Sequence, residues 1–378
     1  MTVTTIASLL GGIGLFLLGM WMMTEGLKLA AGSALRAILH SWTSTALRGL
    51  LAGFLITAVV RSSSAVTVAT VGFVNAGLLT LTQAVWVVFG TNIGTTTTGW
   101  LVALIGVKYD VAEFALPLIG IGMIVRLVSA SNARRAGIGQ AIAGFGAFFL
   151  GIGALQDGFA GLAPRIAALE LDPAAWWTIA GFVVLGMALT VVTQSSSAAI
   201  AIALTASGGG GVPLELAAAA ADSSNIGTTS AAVFAPMGAT SPAKRVATAH
   251  IAFNVLTGAV GLALLPFLLG ASVFVTGLVG MGNDSSTSLA AFHTIFNCIG
   301  VAVIWPLTPR LIAMLSRFYV SLEEEIGRPA HLDATLAEVP ALALRGLVLE
   351  TVRMAGHAFH LARRRREPGE GGASEPER

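Results

Sequence analysis

Thr57-Ala-Val-Val-Arg-Ser-Ser-Ser-Ala65 is matched later in the chain by Thr190-Val-Val-Thr-Gln-Ser-Ser-Ser-Ala198, at an offset of 190 − 57 = 133 residues. A second pair of segments has the same offset, since 225 − 92 = 133: Thr91-Asn-Ile-Gly-Thr-Thr96 and Ser224-Asn-Ile-Gly-Thr-Thr229. Two different motifs at one spacing indicate an internal duplication.

The duplication extends over most of the chain. Gly12-Ile-Gly-Leu-Phe-Leu-Leu-Gly19 resembles Gly144-Phe-Gly-Ala-Phe-Phe-Leu-Gly151 at an offset of 144 − 12 = 132. A shorter echo, His250-Ile-Ala-Phe-Asn254 and His293-Thr-Ile-Phe-Asn297, marks a helix beyond the twofold repeat. The predicted parts are a first transmembrane repeat (1–132), a second transmembrane repeat (133–265), an extra C-terminal membrane helix (266–320) and a cytoplasmic tail, partly helical and then disordered (321–378).

Composition places the chain in a membrane. Of its 378 residues, 55% are hydrophobic and 11% are charged, whereas about 25% are charged in an ordinary soluble domain. Apolar stretches, most of them long enough to cross about 30 Å of hydrocarbon, run from Ile6 to Met23, Val111 to Ile124, Ile138 to Leu155, Trp176 to Val192, Val246 to Leu265 and Ser288 to Leu307. The sequence therefore predicts an all-α integral membrane protein.

The polar motifs lie in two stretches that are too interrupted to be simple spans. Ser62 to Thr98 and Ser195 to Ser230 are both rich in Gly, Ser, Thr and Asn. Unwound backbone at membrane depth is tolerated only where it is buried in protein or lines a polar cavity. We therefore expect two inverted repeats, each with a re-entrant or broken helix hairpin, whose hairpins meet at the bilayer midplane.

Basic residues indicate the orientation. Lys28, Arg36 and Arg48 are predicted to lie in the loop after the first span, whereas the matching loop of the second repeat carries Arg165 and two acidic residues. Cytoplasmic loops are enriched in Lys and Arg. This rule places the N-terminus outside and the C-terminal tail in the cytoplasm.

Each serine triplet suits an anion. Consecutive helical residues point about 100° apart, so some of the three serines must face a site or cap a helix. A hydroxyl group and the free N–H groups at a helix N-terminus form an anion site, which the helix dipole strengthens. Unwound carbonyls, Ser and Thr hydroxyls and the amide oxygens of Gln194, Asn92 and Asn225 suit sodium, a hard cation. One motif can thus serve both ions.

Small residues also have a purely structural use, because Ser, Thr and Gly let membrane helices pack closely. That explanation is sufficient for one serine cluster in one helix. Here two clusters are each followed, at the same spacing, by Asn-Ile-Gly-Thr-Thr. Generic packing does not require such a paired geometry, so the pattern favours a binding site.

Arg61-Ser-Ser-Ser64, Gln194-Ser-Ser-Ser197 and the two Asn-Ile-Gly-Thr-Thr segments resemble the type II sodium/phosphate cotransporter family. The tail, with Leu332-Asp333, Pro340-Ala-Leu-Ala343 and Glu350, resembles the linker and first helix that lead into a PhoU-like domain in bacterial members, and we expect this chain to be too short to contain that domain. The resemblance implies a multi-pass protein of the bacterial-type inner (plasma) membrane, with inverted repeats, a central site and coupled movement of sodium and phosphate.

The resemblance also implies site residues. The phosphate-binding residues would be Arg61, Ser62, Ser63, Ser64, Gln194, Ser195, Ser196 and Ser197. The sodium-binding residues would be Gln194, Ser64, Ser197, Asn92, Thr95, Thr96, Asn225, Thr228 and Thr229. Sodium is the expected coupling ion, and no catalytic residue, organic cofactor or transition metal is implied. The family usually has Gln where this chain has Arg61, which leaves the number of coupled sodium ions and the identity of the anion open.

Other ionisable residues each allow two interpretations. Arg61 lines a cavity, or it snorkels to the interface or pairs with Asp222. Asp222 binds sodium or a proton, or it caps a turn. His250 and His293 shuttle protons, or they are interhelical hydrogen-bond partners, which is the more common role.

The predicted function is secondary transport of phosphate coupled to sodium. The alternative is a sodium-independent carrier or channel for phosphate or a related oxyanion, in which Arg61 replaces a cation. An intramembrane serine hydrolase would be the enzymatic alternative, but the serines lack the Gly-x-Ser-x-Gly pattern, and no enzyme activity is predicted. The predicted partners are phosphate, sodium and membrane lipid; a homodimer is left open, and nucleic acid is not a predicted partner.

Overall fold

The computed structural model describes residues 3–106, 112–234, 239–281, 284–320, 330–331 and 340–366. Within these ranges every regular element is helical, so the predicted all-α class is confirmed. The chain divides into two compact units, Met1–Ser316 and Arg317–Arg378. Leu332-Asp333 and residues 367–378, for which a linker and a disordered end are predicted, lie outside the described residues.

The described part of the first unit contains fourteen α-helices. They are α1 Val3–Ser41, α2 Ala46–Val60, α3 Ser63–Asn75, α4 Leu81–Leu101, α5 Ala112–Val128, α6 Ala133–Ala167, α7 Trp176–Thr193, α8 Ser196–Gly208, α9 Leu214–Gly227, α10 Thr229–Phe234, α11 Ser241–Ala263, α12 Leu265–Leu278, α13 Ser285–Ile304 and α14 Thr308–Leu315. A π-helical turn, Val102–Gly106, extends α4, and a 3-10 turn, Trp305–Leu307, joins α13 to α14.

Five helical segments of the described residues are long and apolar enough to cross a membrane: Val3–Gly32, Ala133–Ala167, Trp176–Thr193, Ser241–Ala263 and Ser285–Leu315. They coincide with five of the six predicted stretches, while the sixth corresponds to α5, which has 17 residues. On α7, the side chains of Val184 and Val192 are 64% and 83% exposed. A continuous apolar surface of this kind belongs in lipid rather than in water.

The two repeats have the same order of helices. Helices α1 to α5 correspond to α6, α7, α8, α9 and α11. Helices α3 and α8 begin at Ser63 and Ser196, and α4 and α9 begin at Leu81 and Leu214; both differences, 196 − 63 and 214 − 81, equal 133. The stretch 266–320, predicted as one extra helix, contains most of α12 together with α13 and α14.

Helices α1 and α6 pack along a seam of glycines. The seam glycines recur every seven residues, which is nearly two helical turns: Gly12, Gly19 and Gly26 on α1, and Gly137, Gly144, Gly151 and Gly158 on α6. A Cβ at Gly19 would overlap the backbone of Phe148, so the two backbones approach as closely as small residues allow. Gly12 opposes Leu155 whereas Gly26 opposes Ala141, and the two equivalent helices are therefore antiparallel.

The predicted loop after the first span is largely helical instead, so that prediction is wrong. Lys28 and Arg36 lie on α1, which continues to Ser41. Helix-forming residues extend α1 beyond its apolar part, and Lys28 forms an ion pair with Glu25 one turn earlier, at 2.6 Å. Arg48 lies in the first turn of α2, and Arg165 lies in the last turn of α6.

The second unit contains α15, Pro340–Arg366. Glu350 on α15 accepts hydrogen bonds from the side chain of Arg353 and from the backbone N–H groups of Ala330 and His331, the latter two at 3.0 and 3.1 Å. These bonds, Arg353 first, lower the pKa of Glu350 to about 2. The carboxylate therefore holds residues 330–331 against α15 at neutral pH. That stabilisation is lost as the pH falls from the usual glutamate value of about 4.3 through the folded value of about 2.

The glycine seam gives a test of the packing. Gly19→Ala should lower the thermal unfolding midpoint, because overpacking against backbone costs about 1–3 kcal/mol. Gly14→Ala is the matched control, since a Cβ at Gly14 on the same helix has no neighbour within 4 Å. The measurement is thermal unfolding in detergent by circular dichroism. Equal midpoints for the two variants would contradict the close approach of α1 and α6.

Candidate functional site

Each repeat contains one helix break of the same geometry. Helix α2 ends before Arg61, whose backbone is left-handed at φ 62°, and α7 ends before Gln194 at φ 52°. The next residues, Ser62 and Ser195, are extended and precede α3 and α8. A left-handed non-glycine residue costs about 1 kcal/mol or more. Both repeats thus contain the same energetically unfavourable backbone conformation at equivalent positions.

The first serine of each triplet caps the helix that follows. Ser62 Oγ accepts from the N–H of Ala65, and Ser195 Oγ accepts from the N–H of Ala198, both at 3.2 Å. The next serines, Ser63 and Ser196, are buried in the first turns of α3 and α8. The first-turn N–H groups have no partner inside a helix, so hydroxyl and amide donors collect at each break. Ser197 is also buried, whereas Ser64 is half-buried.

The glycine of each Asn-Ile-Gly-Thr-Thr motif brings its helix against the break. A Cβ at Gly94 of α4 would lie 2.6 Å from Cβ of Thr57 on α2, and a Cβ at Gly227 of α9 would lie 2.6 Å from Cβ of Thr190 on α7. Thr57 and Thr190 each stand four residues before the left-handed residue. Within each repeat, the two motifs found in the sequence are therefore in direct contact.

The motif threonines direct their hydroxyl hydrogens into their own helices. Thr95 donates to the carbonyl of Thr91 and Thr96 to that of Ile93, at 2.8 and 2.7 Å. Thr228 and Thr229 do the same toward Asn225 and Ile226. Each hydroxyl oxygen keeps a lone pair that points away from its own helix. These oxygens are neutral acceptors of the type that a sodium ion uses.

The motif asparagines have different partners in the two repeats. Asn92 is buried and donates through Nδ2 to the carbonyl of Val88 at 3.2 Å, which leaves its Oδ1 as an acceptor. Asn225 donates through Nδ2 to Oδ1 of Asn297 on α13 at 2.9 Å. Asn297 is not among the site residues that the sequence predicts. Its echo of Asn254 in the two His-x-x-Phe-Asn segments was the signal that could have identified it.

Arg61 forms its hydrogen bond within its own repeat. Its Nη1 donates to Oγ1 of Thr97, at 3.1 Å, directly after the Asn-Ile-Gly-Thr-Thr motif. Asp222 is fully buried, and neither of its carboxyl oxygens has a hydrogen-bond partner among the described residues. The alternative interpretation in which Arg61 pairs with Asp222 is therefore wrong. The counterpart Gln194 is exposed and donates to the carbonyl of Val191 at 2.6 Å, so its amide oxygen remains free to accept.

The repeats exchange contacts around these breaks. The π-helical turn after the first Asn-Ile-Gly-Thr-Thr motif packs against α8, and α10, which begins at Thr229 in the second motif, packs against α3. Helix α4 also packs on α8, where a Cβ at Gly99 would lie 3.6 Å from Leu204. Each serine-capped helix is thus contacted by the end of the other repeat's motif.

The two histidines are not interhelical hydrogen-bond partners, which is the more common role of such residues. His250 and His293 are buried on α11 and α13. Nδ1 of His250 and both ring nitrogens of His293 lack a hydrogen-bond partner among the described residues. Asn254 and Asn297, one turn further along the same helices, donate to the backbone carbonyls of the histidines and not to their rings.

The family model described as Na+/Pi-cotransporter matches residues 15–157. The protein YqeW of Bacillus subtilis, whose function is not characterised, is 33% identical over 308 residues, which cover 79% of this chain and 94% of YqeW. YjbB of Escherichia coli, whose given name proposes inorganic phosphate export, is 25% identical over 353 residues. That match covers 93% of this chain and 63% of YjbB, so the chain spans less than two thirds of that relative.

A shorter match links the chain to an animal protein. Sodium-dependent phosphate transport protein 2A of Rattus norvegicus is 35% identical over 98 residues, 25% of this chain and 15% of that protein. No solved structure matches the chain. The resemblance carried by the duplicated serine and asparagine motifs is confirmed, and this chain belongs to the Na+/Pi-cotransporter family.

Proposed function

We propose that this protein is a secondary transporter that carries inorganic phosphate across the membrane together with sodium. One observation carries the proposal: both repeats place a left-handed residue, a serine-capped helix start and buried serines against an Asn-Ile-Gly-Thr-Thr helix. Phosphate binds at the two helix N-termini, where N–H groups, serine hydroxyls and the positive end of the helix dipole favour an anion.

Sodium binds beside the phosphate in this proposal. Its ligands are neutral oxygens of the motif threonines, of Asn92 and Asn225, of Gln194, and of Ser64 and Ser197. Carriage of the cation with the anion reduces the net charge that must cross hydrocarbon. The names of two relatives agree with phosphate transport, and the name of the rat protein includes sodium dependence.

The repeats are inverted in this proposal, and their breaks form one site near the midplane. The antiparallel packing of α1 against its counterpart α6 supports the inverted arrangement, and the exchanged contacts at α3 and α8 support a shared site. Inverted repeats let a transporter expose one central site alternately to each side. The tail is cytoplasmic and the membrane is a bacterial-type plasma membrane.

A sodium-independent carrier or channel is the second candidate, and Arg61 is the observation that favours it. The guanidinium has five N–H donors and a fixed positive charge, and it stands where the second repeat has the neutral Gln194. Beside the anion it replaces one sodium ion electrostatically. Saturable, gradient-driven accumulation of phosphate in proteoliposomes would identify a carrier and exclude a channel.

Loss of a site serine should weaken phosphate binding. Ser63→Ala and Ser196→Ala should each reduce the affinity by about 10- to 150-fold, because a hydrogen bond to a charged ligand contributes about 1.5–3 kcal/mol. Ser272→Ala is the matched control, since Ser272 on α12 is also buried and its hydroxyl donates to the carbonyl of Leu269, on its own helix. Uptake of labelled phosphate into proteoliposomes, with sodium or with choline, measures the effect. Near-normal affinity in both site variants would remove these serines from the site.

Arg61→Gln makes the first break resemble the second. We expect weaker phosphate binding at low sodium and a steeper dependence of uptake on sodium, because a neutral amide oxygen replaces a fixed cation. Arg48→Gln is the control, since Arg48 is exposed and bonds to Ser44 outside the site. An unchanged sodium dependence in Arg61→Gln would show that the guanidinium does not substitute for a cation.

A further inference from the structure

Asp222 is a buried acid that the proposed phosphate site does not use. It lies on α9, one helical turn before Asn225, and its exposed fraction is 0%. Both carboxyl oxygens lack a hydrogen-bond partner among the described residues. The carboxyl group rests on the backbone of α11: a Cβ at Gly261 would overlap Oδ1, and a Cβ at Gly258 would lie 3.5 Å from Oδ2.

The first repeat shows that the fold does not require an acid at this position. The equivalent residue, at 222 − 133 = 89, is Phe89. Phe89 is fully buried and stacks on Phe253 of α11 with ring centroids 4.5 Å apart. One repeat therefore fills the position with an aromatic ring and the other with a carboxyl group, so packing alone does not account for Asp222.

No basic side chain on the helices around α9 is placed to neutralise Asp222. Helices α7, α8, α10 and α12 carry no ionisable side chain. On α11, Lys244 and Arg245 stand in the first turn, about 20 Å along the helix from Gly258 at 1.5 Å per residue. The remaining ionisable groups are His250 on α11 and His293 and Cys298 on α13.

A second unpaired oxygen acceptor, Oδ1 of Asn254, lies on α11, the helix that contacts Asp222. Asn254 stands one turn from Gly258 on α11; its Nδ2 donates to the carbonyl of His250 at 3.0 Å, and its buried Oδ1 has no partner among the described residues. Carboxylate and amide oxygens form the set that hard cations use. An ionised carboxylate without any counter-charge is strongly disfavoured in such a place, so a small cation must accompany it.

We infer that Asp222 is the anionic group of a cation site in the second repeat, which binds one proton or one sodium ion during each transport cycle. This inference rests on the proposed transport function. The site adds one coupled positive charge that the first repeat cannot carry, because Phe89 occupies the equivalent position. It lies on the same face of α9 as Asn225, so its occupancy acts directly on the helix that carries the second motif.

The first test measures coupling. Asp222→Asn keeps the shape of the side chain but cannot bind a cation by charge. We expect it to retain phosphate binding in detergent and to lower cation-driven uptake into proteoliposomes by about tenfold or more, as expected when a contact to a charged group is lost. The charge moved per phosphate, measured from the reversal potential, should fall by one. Glu215→Gln, which changes the exposed acid in the first turn of α9, should leave both values unchanged.

The outcomes separate the two proposals. If the unaltered protein binds no phosphate, the proposed function fails. If it binds and transports phosphate but Asp222→Asn has the same cation dependence and the same charge per phosphate, only the cation site fails.

A second measurement uses the unaltered protein and does not depend on the folding of a variant. Dicyclohexylcarbodiimide reacts with protonated carboxyl groups in apolar surroundings, and mass spectrometry locates the adduct. Labelling of Asp222 should decrease as the pH rises. A further decrease with sodium, but not with choline, at constant pH identifies sodium as the occupant, and no further decrease identifies the proton. Labelling that is absent, or that responds to neither pH nor sodium, overturns the inference.

Discussion

The first backbone N–H groups of a helix have no partner within that helix, and at membrane depth no water satisfies them. At both breaks one of these groups is satisfied by the capping serine, through the bonds from Ala65 to Ser62 and from Ala198 to Ser195. The other donors of the first turn, together with the hydroxyls next to them, remain available to an anion. The cap keeps the break stable, and the donors that it leaves unsatisfied are those that the proposed phosphate site uses.

Close backbone packing holds these breaks in position. Gly94 and Gly227 let the motif helices touch Thr57 and Thr190, near the ends of α2 and α7. In lipid, helices associate through such small-residue contacts, because apolar side chains gain little by leaving hydrocarbon. The glycine in each Asn-Ile-Gly-Thr-Thr motif therefore has a structural role, because it allows close helix contact. The asparagine and the threonines supply side-chain oxygens. The motif combines a contact glycine with asparagine and threonine oxygens in five residues.

The symmetry of the duplication makes its exceptions informative. Gln194 is replaced by Arg61 in the first copy, and Phe89 is replaced by Asp222 in the second. The first exception adds a fixed positive charge at the proposed anion site, and the second adds a buried acid on the motif helix. The two charges do not neutralise each other, since Arg61 bonds to Thr97 and the carboxylate of Asp222 has no partner among the described residues. The two helix breaks are thus alike in backbone geometry and different in electrostatics.

The amino-acid sequence by itself determined the membrane class, the duplication and the serine and asparagine motifs, because these depend on composition, on the length of apolar runs and on local helix capping. The loop predicted to carry Lys28 and Arg36 is helical, because helix-forming residues continue α1 through both positions. Only the tertiary structure decided that Asn225 bonds to Asn297 and that Asp222 rests on Gly258 and Gly261. These contacts depend on which faces of distant helices meet. Helix faces are set by the packing of the whole bundle, and no local pattern encodes that choice.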